Sequence, residues 1–333
     1  MNLCTRCVLP ETFPGIQFDS DGVCNFCRDS LPDQCRLDQK AEYREHFERL
    51  IQEHRGISAY DALLCYSGGK DSTYTLIALK KFYGLNVLAL TMDNGFMSPQ
   101  ALKNIRSTTD NLGVDHLLLA PRLDILGPIF RECAQRNIYP PKTLERATAI
   151  CTSCMSIVKF SALQLAIEKR IPFIAYGWSP GQAPITSSIL KNNPRMVRLM
   201  QKSTFDPLYR IAGDAIRPYF LREEHFSAGD YFPYNIHPLA FLDYDEKTIY
   251  ENIEQIGWSP PEDTDANSTN CLLNSFAIAV HRKQFGFHPY AFEMANLVRK
   301  GHLERAEAIA KLSEEDNVDL ISLIRSRLGL SHV

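Results

Sequence analysis

The chain is expected to be an α/β protein built on a doubly wound parallel sheet, with a zinc-ribbon-like module at its N-terminus and a helical C-terminal region. Three observations carry that expectation. Short apolar runs alternate with longer stretches of helical periodicity between residues 58 and 240, which calls for right-handed parallel crossovers. Two cysteine pairs, Cys4/Cys7 and Cys24/Cys27, open the chain. Beyond residue 240 the apolar positions recur mainly at helical spacing.

At 333 residues the chain exceeds one typical domain, and its 45% hydrophobic content can fill a sizeable core. Lys and Arg total 36 against 39 Asp and Glu, a net charge of -3. Such a balance lacks the broad basic field of a protein that binds large nucleic acids, leaves room for a local patch, and favours a small or protein-borne substrate. No charged region followed by an apolar stretch opens the sequence, and no apolar run approaches the roughly 18 residues that span a bilayer. A cytoplasmic protein without membrane contact is therefore expected. There, ten cysteines are better explained by metal or redox chemistry than by disulfides.

Residues 1–34 form the first module. Two residues separate Cys4 from Cys7 and Cys24 from Cys27, and sixteen lie between the pairs, the spacing of a four-thiolate zinc site. Pro10, Pro14, Gly15 and the run Asp19 to Gly22 supply turns, so metal rather than core would hold the module. Four thiolates leave no open position, which makes the role structural. Residues 35–57 connect it to the main body through an amphipathic helix from Gln39 to His54, with Tyr43, Phe47, Leu50 and Ile51 at helical spacing and Gly56 as the stop.

The main body, residues 58–240, opens with a strand from Ala62 to Cys65, then Tyr66-Ser67-Gly68-Gly69-Lys70-Asp71-Ser72, then a helix through Thr73 to Phe82. A strand that delivers a glycine-rich turn onto a helix N-terminus suits an anion, because glycines admit close approach while unpaired N–H groups and the helix dipole face it. Lys70 adds a cation, Ser67 and Ser72 offer hydroxyls, and Asp71 is a candidate Mg2+ ligand. The Walker pattern fails, since Asp71 follows Lys70 and no glycine stands at the required upstream place. Asn86 to Met92 is the second strand, ending at Asp93-Asn94-Gly95; Gln100 to Leu112 is a helix, Asp115 to Leu119 the third strand, and Leu123 to Asn137 a helix. Cys133, Cys65 and Cys35 have no partners at metal spacing and are expected to be packed core thiols. Ligands of such a sheet sit beyond the C-terminal strand ends, where Asp93 and Asn94 fall; the same side chains equally suit a turn.

Cys151-Thr152-Ser153-Cys154 opens a helix that runs from Met155 to Lys169. The helix N-terminus favours thiolate, and Lys142, Arg146 and Lys159 add positive charge. A dithiol redox pair, half of a metal site and two structural thiols compete as readings. The fourth strand, Pro172 to Tyr176, runs into a Gly/Pro loop in which Gly177 lets backbone come close to nucleotide or substrate and Trp178 either packs or stacks. Gly181 to Leu239 lacks periodicity and is expected to be irregular, partly helical cover. In the last region, 241–333, helices are expected at Asp245 to Ile256, Leu272 to His281, Tyr290 to Arg299, Leu303 to Leu312 and Val318 to Leu328. Cys271 follows polar Asn267 to Asn270, a setting that suits a thiolate. Arg299, Lys300, His302 and Arg305 form a basic patch, either solvated or touching a phosphate.

The segment YSGGKDS resembles the SGGxDS signature of the PP-loop ATP pyrophosphatases, proteins of the adenine nucleotide alpha hydrolase-like fold. That family cleaves ATP between the α- and β-phosphates and leaves an AMP-activated substrate. The resemblance implies that Tyr66, Ser67, Gly68, Gly69, Lys70, Asp71, Ser72, Asp93, Asn94 and Gly177 meet ATP and its Mg2+. A phosphate loop, a cysteine pair before a helix and one distant cysteine together resemble the iron-sulfur-dependent tRNA-thiolation branch. This implies that Cys151, Cys154 and Cys271 hold a 4Fe-4S cluster with one iron left open for sulfur, and that they act with Lys70 and Asp71 as the catalytic set. The implied activity is an ATP-dependent sulfurtransferase. It would adenylate a carbonyl oxygen of a nucleobase-like small molecule or an RNA base and replace it with sulfur from sulfide or a donor protein. The mildly acidic balance and the lack of an evident acidic pair after Gly177 depart from that branch. The run CTRCVLPETFPGIQFDSDGVCNFC resembles the N-terminus of N-acetyl sugar amidotransferase-like PP-loop proteins, which implies the alternative: the same adenylation, ammonia from a partner glutaminase, and structural cysteines. A nucleotide-sensing or iron-sulfur carrier is the non-enzymatic reading. The oligomeric state is left open, a homodimer included.

Overall fold

The computed structural model describes residues 2–30, 33–227, 231–265 and 268–330. Its strands β1 (Ala62–Cys65), β2 (Val87–Met92), β3 (Asp115–Leu119), β4 (Phe173–Tyr176), β5 (Ile189–Lys191) and β6 (Tyr234–Ile236) form one sheet in the order β3-β2-β1-β4-β6-β5. Every pairing is parallel except that of β5, which closes one edge antiparallel to β6. The chain leaves β1 in one direction for β2 and β3 and returns to its other side for β4, so the strand order reverses at β1. The crevice beyond the C-terminal end of β1 is therefore the place where a doubly wound sheet takes its ligand.

Both faces are covered, as the unbroken apolar character of β1, β2 and β4 requires. Successive residues point to opposite sides: Leu64, Ala89 and Phe173 pack with the helices Asp33–His54, Lys70–Ile77 and Pro99–Leu112. Leu63, Leu88 and Ile174 pack with Leu123–Gln135 and Ala149–Lys169 on the other side. Pro99–Leu112 starts where Ser98 Oγ accepts from the N–H groups of Gln100 and Ala101, and stops at Gly113 with φ 58°. The doubly wound α/β class is thus the observed one, and the four expected strands are all present.

Three expectations are corrected. Gly181 to Leu239 is not mainly irregular: it holds β5, β6 and the 19-residue helix Pro194–Ala212, which packs on Leu123–Gln135. The connecting helix begins at Asp33 rather than Gln39. Finally, Ala149–Lys169 is long and apolar enough by length and composition to cross a membrane, contrary to the reading that no run comes near that length. Here it lies against β1, β2 and β4 as the central core helix.

The C-terminal helices Glu246–Glu254, Leu273–Phe285, Ala291–Arg299, Arg305–Leu312 and Val318–Arg327 follow the expected order. Ala291–Arg299 and the start of Arg305–Leu312 meet the N-terminal module, where Phe13 stacks on Phe292 at 5.6 Å and meets Phe287 edge-on at 5.2 Å. Arg305 donates to the backbone carbonyls of both Cys4 and Cys7 at 2.9 Å. The N-terminal module thus packs with residues 286–305, while Val318–Arg327 lies with Leu273–Phe285 and the core on the other face of the sheet.

Candidate nucleotide and cysteine site

The turn after β1 is held by contacts that leave little freedom. Gly69 caps the helix Lys70–Ile77 in extended backbone geometry, and the Ser72 and Thr73 hydroxyls donate back to its carbonyl at 3.0 and 2.9 Å. Gly68 has φ +74°, and a β-carbon there would stand 2.6 Å from Ile105 Cγ1. Tyr66 is a buried anchor, its hydroxyl 2.6 Å from Thr108 Oγ1 and 3.1 Å from Thr73 Oγ1. At the mouth of the turn, Ser67 and Ser72 hydroxyls lie 3.0 Å apart, and the Lys70 N–H donates to Thr269 Oγ1 at 3.0 Å. An oxygen acceptor already occupies one of the helix N-terminal donors, the role a phosphate oxygen would take.

The Lys70 ammonium stands 2.9 Å from Glu246 Oε1, 3.1 Å from the Tyr244 hydroxyl and 3.3 Å from Asp71 Oδ1. Burial alone would lower it, yet Asp71, Tyr244 and Glu246 hold it charged, well above the usual lysine range. Tyr244 also donates to Asp71 Oδ1 at 3.0 Å, and Lys311 pairs with Glu246 at 3.1 Å. Sequence reasoning missed Tyr244, Glu246 and Lys311, which carry no motif. It also missed Glu293, which accepts from Ser179 Oγ at 2.6 Å and whose carboxyl burial pushes up to about 7.

Tyr66, Ser67, Gly69, Lys70, Asp71, Ser72, Thr269, Tyr244, Glu246, Glu293 and Lys311 line one cavity of about 380 Å³, and so do Cys151, Cys154 and Cys271; Gly68 is not among the lining residues. Cys151 and Cys154 occupy the first two turns of Ala149–Lys169, where Thr148 caps the helix by accepting the Cys151 N–H at 3.0 Å. Cys271 arrives from far along the chain through an antiparallel bridge to Met97, flanked by the Ser98 N–H donating to Asn270 and the Leu272 N–H to Phe96. The Asn94 amide donates to both Cys154 Sγ at 3.6 Å and Cys271 Sγ at 3.5 Å, so those two sulfurs are no farther apart than the sum of the two contacts. Among the described residues the one group of metal-binding side chains drawn within 4.8 Å of one another is the N-terminal four, so the cavity trio is spread wider than a single ion needs. Three thiols thus face one cavity, two of them sharing the Asn94 amide and the third, Cys151, lying 3.7 Å from Asn274 Oδ1.

Burial outweighs the helix N-terminus at these thiols, pushing Cys151 up to about 12 and raising Cys154 and Cys271 as well. The expected positive charges lie elsewhere: Lys142 pairs with Glu145, Arg146 lies over Phe292, and Lys159 is beside Cys65. Cys65 is not a plain core thiol, for it lines the cavity, and Cys35 is exposed rather than packed. Cys133 is buried as expected.

Asp93 accepts from the Gly95 N–H at 2.8 Å, its turn role, and is not among the lining residues, whereas Asn94 is. Gly177 lines the cavity, and the space its β-carbon would take is filled by Ser72 backbone, so its smallness serves protein packing. Trp178 stacks on His237 at 4.5 Å. Asn267 lies outside the described residues.

The N-terminal thiols of Cys4, Cys7, Cys24 and Cys27 are all buried and mutually within 4.8 Å, with Cys4–Cys27 at 3.8 Å and Cys7–Cys24 at 3.7 Å. Tetrahedral thiolates about 2.3 Å from one ion stand about 3.8 Å apart. The four therefore fit a structural Zn2+. The N–H groups of Cys7 and Cys24 point at Cys4 Sγ, and Arg299 donates to Cys7 Sγ at 3.3 Å. The expected phosphate-touching patch is thus partly spent inside the protein: Arg299 and Arg305 clamp this module, and His302 bonds the Tyr244 carbonyl.

No protein-family model matches the chain. It is 25% identical over 321 residues, 93% of each sequence, to an uncharacterized protein of Methanocaldococcus jannaschii. A U34-tRNA thiolase from Methanococcus maripaludis with its 4Fe-4S cluster overlays at a TM-score of 0.35 and 15% identity, covering 97% of this chain and 96% of that one. An NMN synthetase from Francisella tularensis overlays at 0.39 and 11% identity, covering 90% and 96%. Scores this low carry no weight, so the fold class rests on strand order and helix layers.

Proposed function

We propose that this chain is an ATP-dependent sulfurtransferase of the PP-loop ATP pyrophosphatase type, acting on a nucleobase-like small molecule or an RNA base. The observation that carries the reading is the convergence of the Ser67 to Ser72 turn with Cys151, Cys154 and Cys271 on one cavity at the switch point of the sheet. The turn and helix N-terminus receive the phosphates of ATP, Lys70 offsets their charge, and Asp71 would hold Mg2+. The acceptor's carbonyl oxygen attacks the α-phosphorus, the bond to the bridging oxygen breaks, and pyrophosphate leaves. Hydrosulfide then adds to the activated carbon, and AMP departs with the original oxygen. Glu293 takes up the proton that the acceptor loses. Cys151, Cys154 and Cys271 would hold a 4Fe-4S cluster, which supplies an open iron for binding sulfide. The N-terminal thiols hold Zn2+ for structure alone.

A second reading, an ATP-dependent N-acetyl sugar amidotransferase fed by a glutaminase, is favoured by one observation. Among the described residues, the group of thiols drawn within 4.8 Å of one another is the N-terminal four and not the cavity three, as suits structural cysteines in the cavity. Anaerobic reconstitution followed by iron and sulfide analysis separates the two. Thiolation expects about four irons per chain, lost in Cys151→Ala, and sulfide-dependent pyrophosphate release with a product heavier by an oxygen-to-sulfur exchange. Pyrophosphate release that needs ammonia and survives in Cys271→Ala would establish amidation instead.

A further inference from the structure

A second concave site adjoins the first. A groove of about 570 Å³ runs between the N-terminal module, the helix Asp33–His54 and the helix Ala291–Arg299, and it meets the cavity at Gln182 and His302, which line both. Its walls carry Arg36, Lys40, Arg146, Arg299, Lys300 and His302, and among the described residues no carboxylate lines it. With His302 neutral, the five Lys and Arg side chains make a local concentration of one sign in a chain of net charge -3, answered in part by the Cys7 thiol at Arg299 and by Asp243 near Lys40.

The cations differ in what they face. Arg299 is turned to Cys7 and serves the four-thiol module. The Lys300 ammonium donates to the Pro180 carbonyl, a neutral partner. The Arg146 guanidinium lies 4.9 Å over the Phe292 ring, which leaves its N–H edge for an in-plane acceptor. Lys40 feels Asp243 on one side and Arg36 and Arg44 on the other. Burial first, and then the like charges of Lys40, Arg299 and Arg36, push Lys300 down to about 8; burial and Lys40 push His302 down to about 4. Bringing these groups together costs free energy that a bound anion returns.

We propose that the groove is an anion subsite for the phosphate or diphosphate of the acceptor, so that the molecule modified in the adjoining cavity is a small phosphorylated compound. The inference rests on the reading of that cavity as the place where the acceptor is activated. Compactness favours a small compound over RNA: the groove gathers its five Lys and Arg side chains around a space of about 570 Å³, the scale of a small molecule, whereas a nucleic-acid strand needs a track of cations across the surface. Phe26 and Phe292 in the same walls give the apolar part of the compound a floor.

The test uses the full chain, its phosphate loop saturated with a non-hydrolysable ATP analogue, titrated calorimetrically with inorganic pyrophosphate. One additional site is expected. It should weaken at least tenfold in the Lys40→Ala/Lys300→Ala double variant and, independently, in Arg146→Gln, with analogue affinity and melting temperature unchanged. No such site in the wild type, or equal affinity in all variants, overturns the subsite. Single-stranded RNA that outcompetes pyrophosphate and loses binding in the same variants overturns the small-molecule assignment in favour of a polymer. Failure of the analogue to bind at all removes the reading of the phosphate loop, while the pyrophosphate titration of the groove variants still decides the subsite.

Discussion

Glu293 stands in the cavity wall with its carboxyl raised from the usual 4.5 to about 7, burial being the main cause. The folded protein therefore holds that proton more tightly than the unfolded chain. Its contribution to stability is complete below about pH 4.5 and is lost as pH rises through about 7. Glu293→Gln keeps the shape and removes the titration. Urea denaturation should show the variant gaining on the wild type by up to about 3 kcal/mol between acid and mildly alkaline pH; a difference independent of pH would contradict this. Gly177 offers a sharper case. Its missing β-carbon leaves the room that Ser72 backbone fills, so Gly177→Ala should push the phosphate turn out of place. A loss of about 2 kcal/mol or more is expected, along with a large drop in ATP affinity. Both residues show the limits of reading one position at a time. The sequence pointed to Gly177 as a place of close approach, but what approaches is protein. Glu293 sits in an ordinary amphipathic helix, and nothing in its neighbours in sequence marks it as buried beside Asp71.

At the level of elements, the strand-turn-helix of Ala62 to Ile77 was legible because its signals are local: four apolar residues, two glycines, then a helix N-terminus. The paired spacing of Cys4, Cys7, Cys24 and Cys27 was legible for the same reason, and the structure brings those four thiols together. Residues 181–239 were opaque. Strands of three residues are too short to show alternation, and β5 and β6 exist only because each pairs with a neighbour already in place. The clamp on the N-terminal module was equally hidden, since Arg305 reaches carbonyls some three hundred residues away in sequence. Its removal is informative. Arg305→Ala deletes two charge-assisted hydrogen bonds, worth roughly 2 kcal/mol together. It should lower the melting temperature and, in protein loaded with Zn2+, speed release of the ion to a colorimetric chelator. Zinc release at the wild-type rate would mean the module stands without the C-terminal layer.

The whole molecule buries several neutral histidines. Burial pushes His237 and His288 down to about 3, and His281 and His302 to about 4, from the usual 6.5. Each folded-state value lies below the unfolded one, so the stability they contribute is present above about pH 6.5 and is lost as pH falls through the folded values. Acid unfolding followed by circular dichroism should begin near pH 6 and steepen with the uptake of several protons; a midpoint insensitive to His281→Phe would count against burial as the cause. His281 is the informative choice because both ring nitrogens are buried without a hydrogen-bond partner, packed against Phe285 at 4.6 Å.

By itself the sequence determined the layered α/β class, the glycine-rich turn between strand and helix and the four-thiol module, because helical and strand periodicity, glycine at a turn and paired cysteine spacing act over a few residues. Only the tertiary structure decided that Cys271 meets Cys154 through Asn94 on the cavity that Cys151 also lines, that Lys70 is held between Asp71 and Glu246, and that a groove with basic side chains adjoins the cavity. Those arrangements depend on which distant surfaces pack together, and the free energy that selects them belongs to the assembled core rather than to any stretch of chain.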